Sequence, residues 1–72
     1  MENQMKIYDD TEQTITEWSR MLVAKHGITF RIYSDKKETL IRWSKGLTKI
    51  YGKPFILKEN EKETLISWSK LF

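Results

Sequence analysis

Apolar and polar positions recur in a fixed order along this 72-residue chain. Each of the three tryptophans, Trp18, Trp43 and Trp68, is followed by Ser, and successive tryptophans are 25 residues apart. The second and third copies share the pattern Lys-Glu-Thr-Leu-Ile-x-Trp-Ser-Lys, and Gly27 corresponds to Gly52. This periodicity predicts a single domain of three copies of one unit, at about 3–27, 28–52 and 53–72.

Each copy carries the signals of one amphipathic helix. Asp10, Asp35 and Asn60 stand where a helix cap is expected, because their side chains can accept hydrogen bonds from the free N–H groups of a first turn. Gly27 and Gly52 favour a helix end, since glycine adopts the left-handed conformation without strain. The apolar stripe recurs at helical spacing. Its members are Ile15, Trp18, Leu22, Leu40, Trp43, Leu47, Ile50, Leu65, Trp68 and Phe72.

A short segment rich in aromatic and β-branched residues precedes each helix. These segments, at 5–8, 29–33 and 54–58, alternate in polarity and therefore favour strands. Strands joined by helices through short connections are parallel. We therefore expect an α/β fold: three tandem βα repeats forming a small three-stranded parallel sheet, with the helices mainly on one face. Strand order 1-2-3 gives that arrangement, and order 2-1-3, with helices on both faces, remains an alternative.

The alternation divides the side chains of this expected sheet between its two faces. The core is predicted to hold the three tryptophans together with Ile7, Ile32 and Leu57. The opposite face would be bare, which is unusual for a parallel sheet, and we expect it to be a binding face. Its residues are Lys6, Tyr8, Arg31, Tyr33, Ile56 and Lys58.

Composition narrows the functional classes. A chain of this length has a thin core, for which association with a partner subunit is a common remedy. No cysteine is present, which excludes disulfides and thiolate metal sites. The N-terminal residues lack the apolar run of an export signal, so we expect a cytoplasmic protein with no membrane association. The net charge is +3 at pH 7, which is compatible with anionic partners.

For several residues that could carry chemistry, a structural role explains the sequence better than a catalytic or metal-binding role. Carboxylates of Asp9, Asp35 and Glu59 could lie together at one end of the sheet, but acidic residues at these positions also suit helix starts. His26, the only histidine, suits a helix C-terminus. The serines that follow the tryptophans lack a base or a nucleophile elbow. We therefore expect no enzyme activity, no catalytic or metal-binding residues, no cofactor and no small-molecule substrate.

The leading hypothesis is a small non-enzymatic binding module, such as an inhibitor or accessory factor. It would self-associate as a homo-oligomer or bind a protein partner through the exposed sheet face or edge. The alternative is binding of single-stranded nucleic acid, with bases stacked on Tyr8 and Tyr33 and phosphates held by Lys6, Arg31 and Lys58. An engineered repeat protein without natural function is a further alternative, although the scarcity of Ala is unusual for designed helices.

Overall fold

A computed structural model of the protein describes residues 5–72 and contains helices but no strand in that part of the chain. Helix α1 spans Thr11–His26, α2 spans Lys36–Tyr51 and α3 spans Glu61–Ser69, with a short 3-10 helix at Ile28–Phe30. The predicted α/β class, with a three-stranded parallel sheet and helices on one face, is therefore wrong. Strand orders 1-2-3 and 2-1-3 are wrong for the same reason, since both require a sheet.

The three α-helices begin directly after Asp10, Asp35 and Asn60. The Oδ1 atoms of Asp35 and Asn60 accept hydrogen bonds from the N–H groups three residues later, at 2.7 and 2.9 Å. Asp10 Oδ1 accepts one from Glu12, at 3.0 Å. Helices α1 and α2 end at Gly27 and Gly52, whose φ angles of 110° and 69° are strained for any other residue.

Side chains of the helices bind the backbone of the segments that were expected to form strands. In each unit a buried threonine hydroxyl, in the first turn or so of the helix, accepts a hydrogen bond from a backbone N–H of the preceding segment. These bonds run from Tyr8 N to Thr14, from Tyr33 N to Thr39 and from Lys58 N to Thr64, each at 2.9 Å. One N–H group of each segment, which a sheet could have paired, is thus satisfied within its own unit.

The three tryptophans bind the carbonyl groups of the same segments. Trp18, Trp43 and Trp68 are fully buried. Their indole N–H groups donate to Lys6 O, Arg31 O and Ile56 O, at 2.9, 3.0 and 2.9 Å. The repeated unit is therefore an extended or irregular segment held along a helix, which binds one N–H group and one carbonyl group of that segment through its Thr and Trp side chains.

Burial along these segments departs from the predicted alternation. Met5, Phe30 and Phe55 enter the core, but Ile32 and Leu57 are 45% and 44% exposed, so assigning these two residues to the core was wrong. Ile7 is half-buried against the core. Alternation with a period of two holds only along a regular strand, and neither segment is one: a 3-10 turn and a bend at Arg31 interrupt the first, and the second has no strand partner within residues 5–72.

Serine hydroxyls join successive units. Ser19 donates to Phe30 O at 2.9 Å, and Ser44 donates to Phe55 O, in each case from one helix to the segment of the next unit. Ser69, in the last unit, donates to Ile66 O of its own helix. The units are therefore linked by the same bond at the same register, and the third unit uses its serine locally.

The third unit also packs against the first. Phe30 and Phe55 lie edge-on to the tryptophans of their own units, with ring centroids 6.3 and 5.8 Å apart. In the first unit Met5 occupies the equivalent position, and the ring beside Trp18 belongs to Phe72, at 5.6 Å. The described chain is accordingly almost equal in its three dimensions, 24 × 23 × 21 Å.

Candidate interaction surfaces

The predicted binding face is not a sheet face, because the segments that carry it do not pair. Lys6, Arg31, Ile56 and Lys58 are exposed, whereas Tyr8 and Tyr33 are half-buried. These residues occupy equivalent positions in the three units. Each pair therefore lies beside the helix of its own unit, and the pairs do not form one continuous sheet face.

Cations cover the rings of both tyrosines. Lys6 Nζ lies 5.4 Å from the centroid of the Tyr8 ring, and Arg31 Cζ lies 4.1 Å from that of Tyr33. These distances are typical of cation–π contacts. A base would have to displace the cation to stack on that side of the ring, which weakens the proposed stacking role of the tyrosines.

A second arginine joins the Tyr33 ring. Arg42 Cζ lies 5.1 Å from the ring centroid, and its Nε donates to Glu38 Oε2 at 2.6 Å. The hydrogen bond with Glu38, together with the attraction of its charge, raises the pKa of Arg42 above its ordinary value. Arg42 is nine residues from Tyr33 in sequence, and no local pattern indicated that the two would meet.

Two surface grooves lie at equivalent places in successive units. The first, about 270 Å³, is formed where α1 meets the segment leading into α2. The second, about 180 Å³, is formed where α2 meets the segment leading into α3. Buried Ile15 and Leu40 are equivalent floor residues, and exposed Ile32 and Leu57 are equivalent rim residues. The side chains that were expected in the core thus provide a repeated apolar position on the surface.

A larger groove, about 570 Å³, lies where the end of α1 approaches the C-terminal residues. Its lining residues include Met5, Met21, Leu22, Lys25, Tyr51 and Phe72. Nearby, His26 Nε2 and Tyr51 Oη are 3.2 Å apart and join the ends of α1 and α2. His26 therefore contacts a neighbouring helix rather than a carboxylate that could orient it as a base.

The acidic residues between positions 5 and 72 do not converge on a metal site. Within residues 5–72, no three His, Cys, Asp or Glu side chains are arranged to hold a metal ion. Asp35 and Asn60 bind backbone N–H groups of helix first turns, as described above. In the same part of the chain, every buried side-chain nitrogen or oxygen has a hydrogen-bond partner.

No helix within residues 5–72 has both the length and the apolar character needed to cross a bilayer. Comparison of the chain with protein-family models, curated proteins and solved structures gives no significant match.

Proposed function

We propose that the protein is a non-enzymatic binding module whose partner is a polypeptide, contacted at the two repeated grooves. The observation that carries the proposal is the exposure of Ile32 and Leu57 at equivalent groove rims, 45% and 44%. Isolated apolar side chains on a surface are ordinary. The same apolar exposure repeated beside the same groove is a feature of binding surfaces built from repeats.

The chemistry of the grooves favours a polypeptide over a nucleic acid. Their floors are the aliphatic side chains of Ile15 and Leu40, and their rims combine acidic and basic groups such as Asp35 and Lys58. Two apolar anchors surrounded by polar groups match the composition of protein interfaces. We expect the partner to be a segment that presents two aliphatic or aromatic side chains, one for each groove.

A displayed library of random short peptides tests this function. Peptides selected on the wild-type protein should carry paired apolar residues. Their affinity should fall about tenfold or more, equivalent to about 1.4 kcal/mol, in the double variant Ile32→Ser plus Leu57→Ser. Ile28→Ser is the matched control, because Ile28 is 70% exposed and lies outside both grooves. Fluorescence anisotropy with a labelled selected peptide measures the affinities.

Equal binding by wild-type protein and the double variant would reject the grooves as the site. A second copy of the chain is another possible occupant of the grooves. Light scattering over about a hundredfold range of concentration tests for it, because self-association raises the molar mass as the concentration rises. In that case the oligomer should revert to monomer in the double variant and persist in Ile28→Ser.

A further inference from the structure

Positive charge is concentrated in the middle of the chain. Residues 31–53 contain seven Lys or Arg and two carboxylates. Residues 5–30 contain three Lys or Arg and four carboxylates, and residues 54–72 contain three of each. Both carboxylates of the middle segment are engaged: Asp35 binds the Glu38 N–H, and Glu38 accepts from Arg42. The excess charge of the protein therefore lies on α2 and the residues directly before and after it.

Tyr33 lies in this region and is fixed by two hydrogen bonds. Its backbone N–H donates to Thr39 Oγ1, and its side-chain hydroxyl donates to Thr29 O, both at 2.9 Å. The guanidinium groups of Arg31 and Arg42 lie 4.1 and 5.1 Å from this one ring. A fixed ring thus gathers two like charges. Glu38 offsets the charge of Arg42, and a bound anion would be attracted by both guanidinium groups.

We propose that Arg31 and Arg42, gathered on Tyr33, form with Lys45 and Lys49 a site for the phosphate backbone of a nucleic acid. Arg42, Lys45 and Lys49 follow one another at helical spacing on α2 and are exposed. A row of cations suits a polymer with regularly repeated phosphates, and guanidinium groups bind phosphate oxygens in a bidentate manner. The Tyr33 ring supports the arginines and does not stack a base, so binding is independent of base sequence.

This site is distinct from the polypeptide-binding function, because its four cations line neither of the two grooves, although the Tyr33 ring that supports the arginines also lines the first one. The two predictions can fail independently. The variant Ile32→Ser plus Leu57→Ser should keep its affinity for nucleic acid, while a change at Arg31 and Arg42 should remove it.

Fluorescence anisotropy with a labelled oligothymidylate, titrated with the full chain at several salt concentrations, tests the site. We expect binding that weakens as salt rises, since each phosphate contact releases counterions. Arg31→Gln plus Arg42→Gln should weaken binding about tenfold or more at low salt and flatten the salt dependence. The control Lys62→Gln plus Lys70→Gln removes the same charge from α3 and the residue that follows it, and it should change affinity about twofold or less.

Three results would overturn the proposal: no binding at low salt, equal weakening by the arginine and lysine pairs, or competition by poly-L-glutamate as effective as by oligothymidylate of equal charge. The last would assign the cluster to carboxylates of an acidic protein. Arg31→Lys plus Arg42→Lys guards against a folding defect, because it keeps the charges. It should bind more weakly than wild type and more tightly than the glutamine pair, since lysine lacks the planar fork.

Discussion

Gly46 is the residue at which packing most clearly overrides a local preference. It lies inside α2, where alanine is normally more favourable than glycine by about 1 kcal/mol. A Cβ atom at this position would lie 2.9 Å from Phe30 Cζ. Phe30 is 1% exposed and has the Trp43 ring on one side, so it has little room to move. The glycine therefore permits the close approach of the Phe30 ring to the helix.

We expect Gly46→Ala to destabilise the protein by about 1 kcal/mol, because overpacking costs about 1 to 3 kcal/mol and exceeds the gain in helix propensity. Urea denaturation followed by Trp fluorescence measures the change. In the background Phe30→Leu the same substitution should cost less, since the shorter side chain removes the collision. A gain of stability in the wild-type background would show that Phe30 repacks freely.

At the same scale, the sequence indicated exposed cations and tyrosines but not how they associate. Contacts such as Lys6 with Tyr8 and Arg31 with Tyr33 join residues two positions apart. The contact between Arg42 and Tyr33 depends on where α2 passes over the segment before it, which no short-range pattern encodes. Helix propensity alone favours alanine at Gly46. The collision with Phe30 involves a different segment, so the local sequence gives no sign of it.

Among the elements, helices were predictable and strands were not, for a physical reason. Caps, apolar periodicity and glycine stops all act within about one helix, so the sequence predicted helices that begin after Asp10, Asp35 and Asn60. The alternating segments indicated an extended backbone, but not which groups would form hydrogen bonds with its N–H and C=O groups. Thr and Trp side chains provide the partners here, and a pattern of polarity along a segment does not distinguish such partners from a neighbouring strand.

The serine that links two units should contribute more than the serine that bonds within its own helix. Ser19 is 8% exposed and donates to the backbone of the next unit, so Ser19→Ala leaves Phe30 O without that donor. We expect a loss of about 1 to 3 kcal/mol in the free energy of unfolding. Ser69→Ala removes only the bond to Ile66 O and should cost less than about 0.5 kcal/mol. Thermal or urea unfolding of the two variants compares them, and equal losses would contradict a linking role for Ser19.

For the whole molecule, Phe72 brings the third unit onto the first. Its ring lies 5.6 Å from Trp18, 5.3 Å from Tyr51 and 5.4 Å from Phe55, centroid to centroid, so one side chain contacts all three units. This arrangement was not foreseeable from the repeat, because residue 72 corresponds to Leu22 and Leu47 in the helical stripe. Helix α3 ends at Ser69, and this frees Phe72 to turn toward Trp18.

We expect Phe72→Ala to cost about 2 to 4 kcal/mol, somewhat less than full burial of a Phe would give, because the ring is only half-buried. Near-ultraviolet circular dichroism should also lose intensity, since the aromatic cluster around Trp18 is disrupted. Leu71→Ala, at the neighbouring half-buried position, is the control and should leave that spectrum largely unchanged. An unaltered aromatic spectrum in Phe72→Ala would show that the units do not close on one another in solution.

The register of the linking bonds has a consequence for how such a chain grows by duplication. A copy of residues 28–52 inserted beside the original would find a partner for each linking serine bond in its neighbours, because Ser19 with Phe30 and Ser44 with Phe55 repeat at the same offset. The insertion would nevertheless separate Phe72 from Trp18 by one unit. Gene duplication could therefore lengthen the array without a new kind of hydrogen bond between units. Each added tryptophan would be covered by the phenylalanine of its own unit, but Trp18 would need a new side chain in place of Phe72.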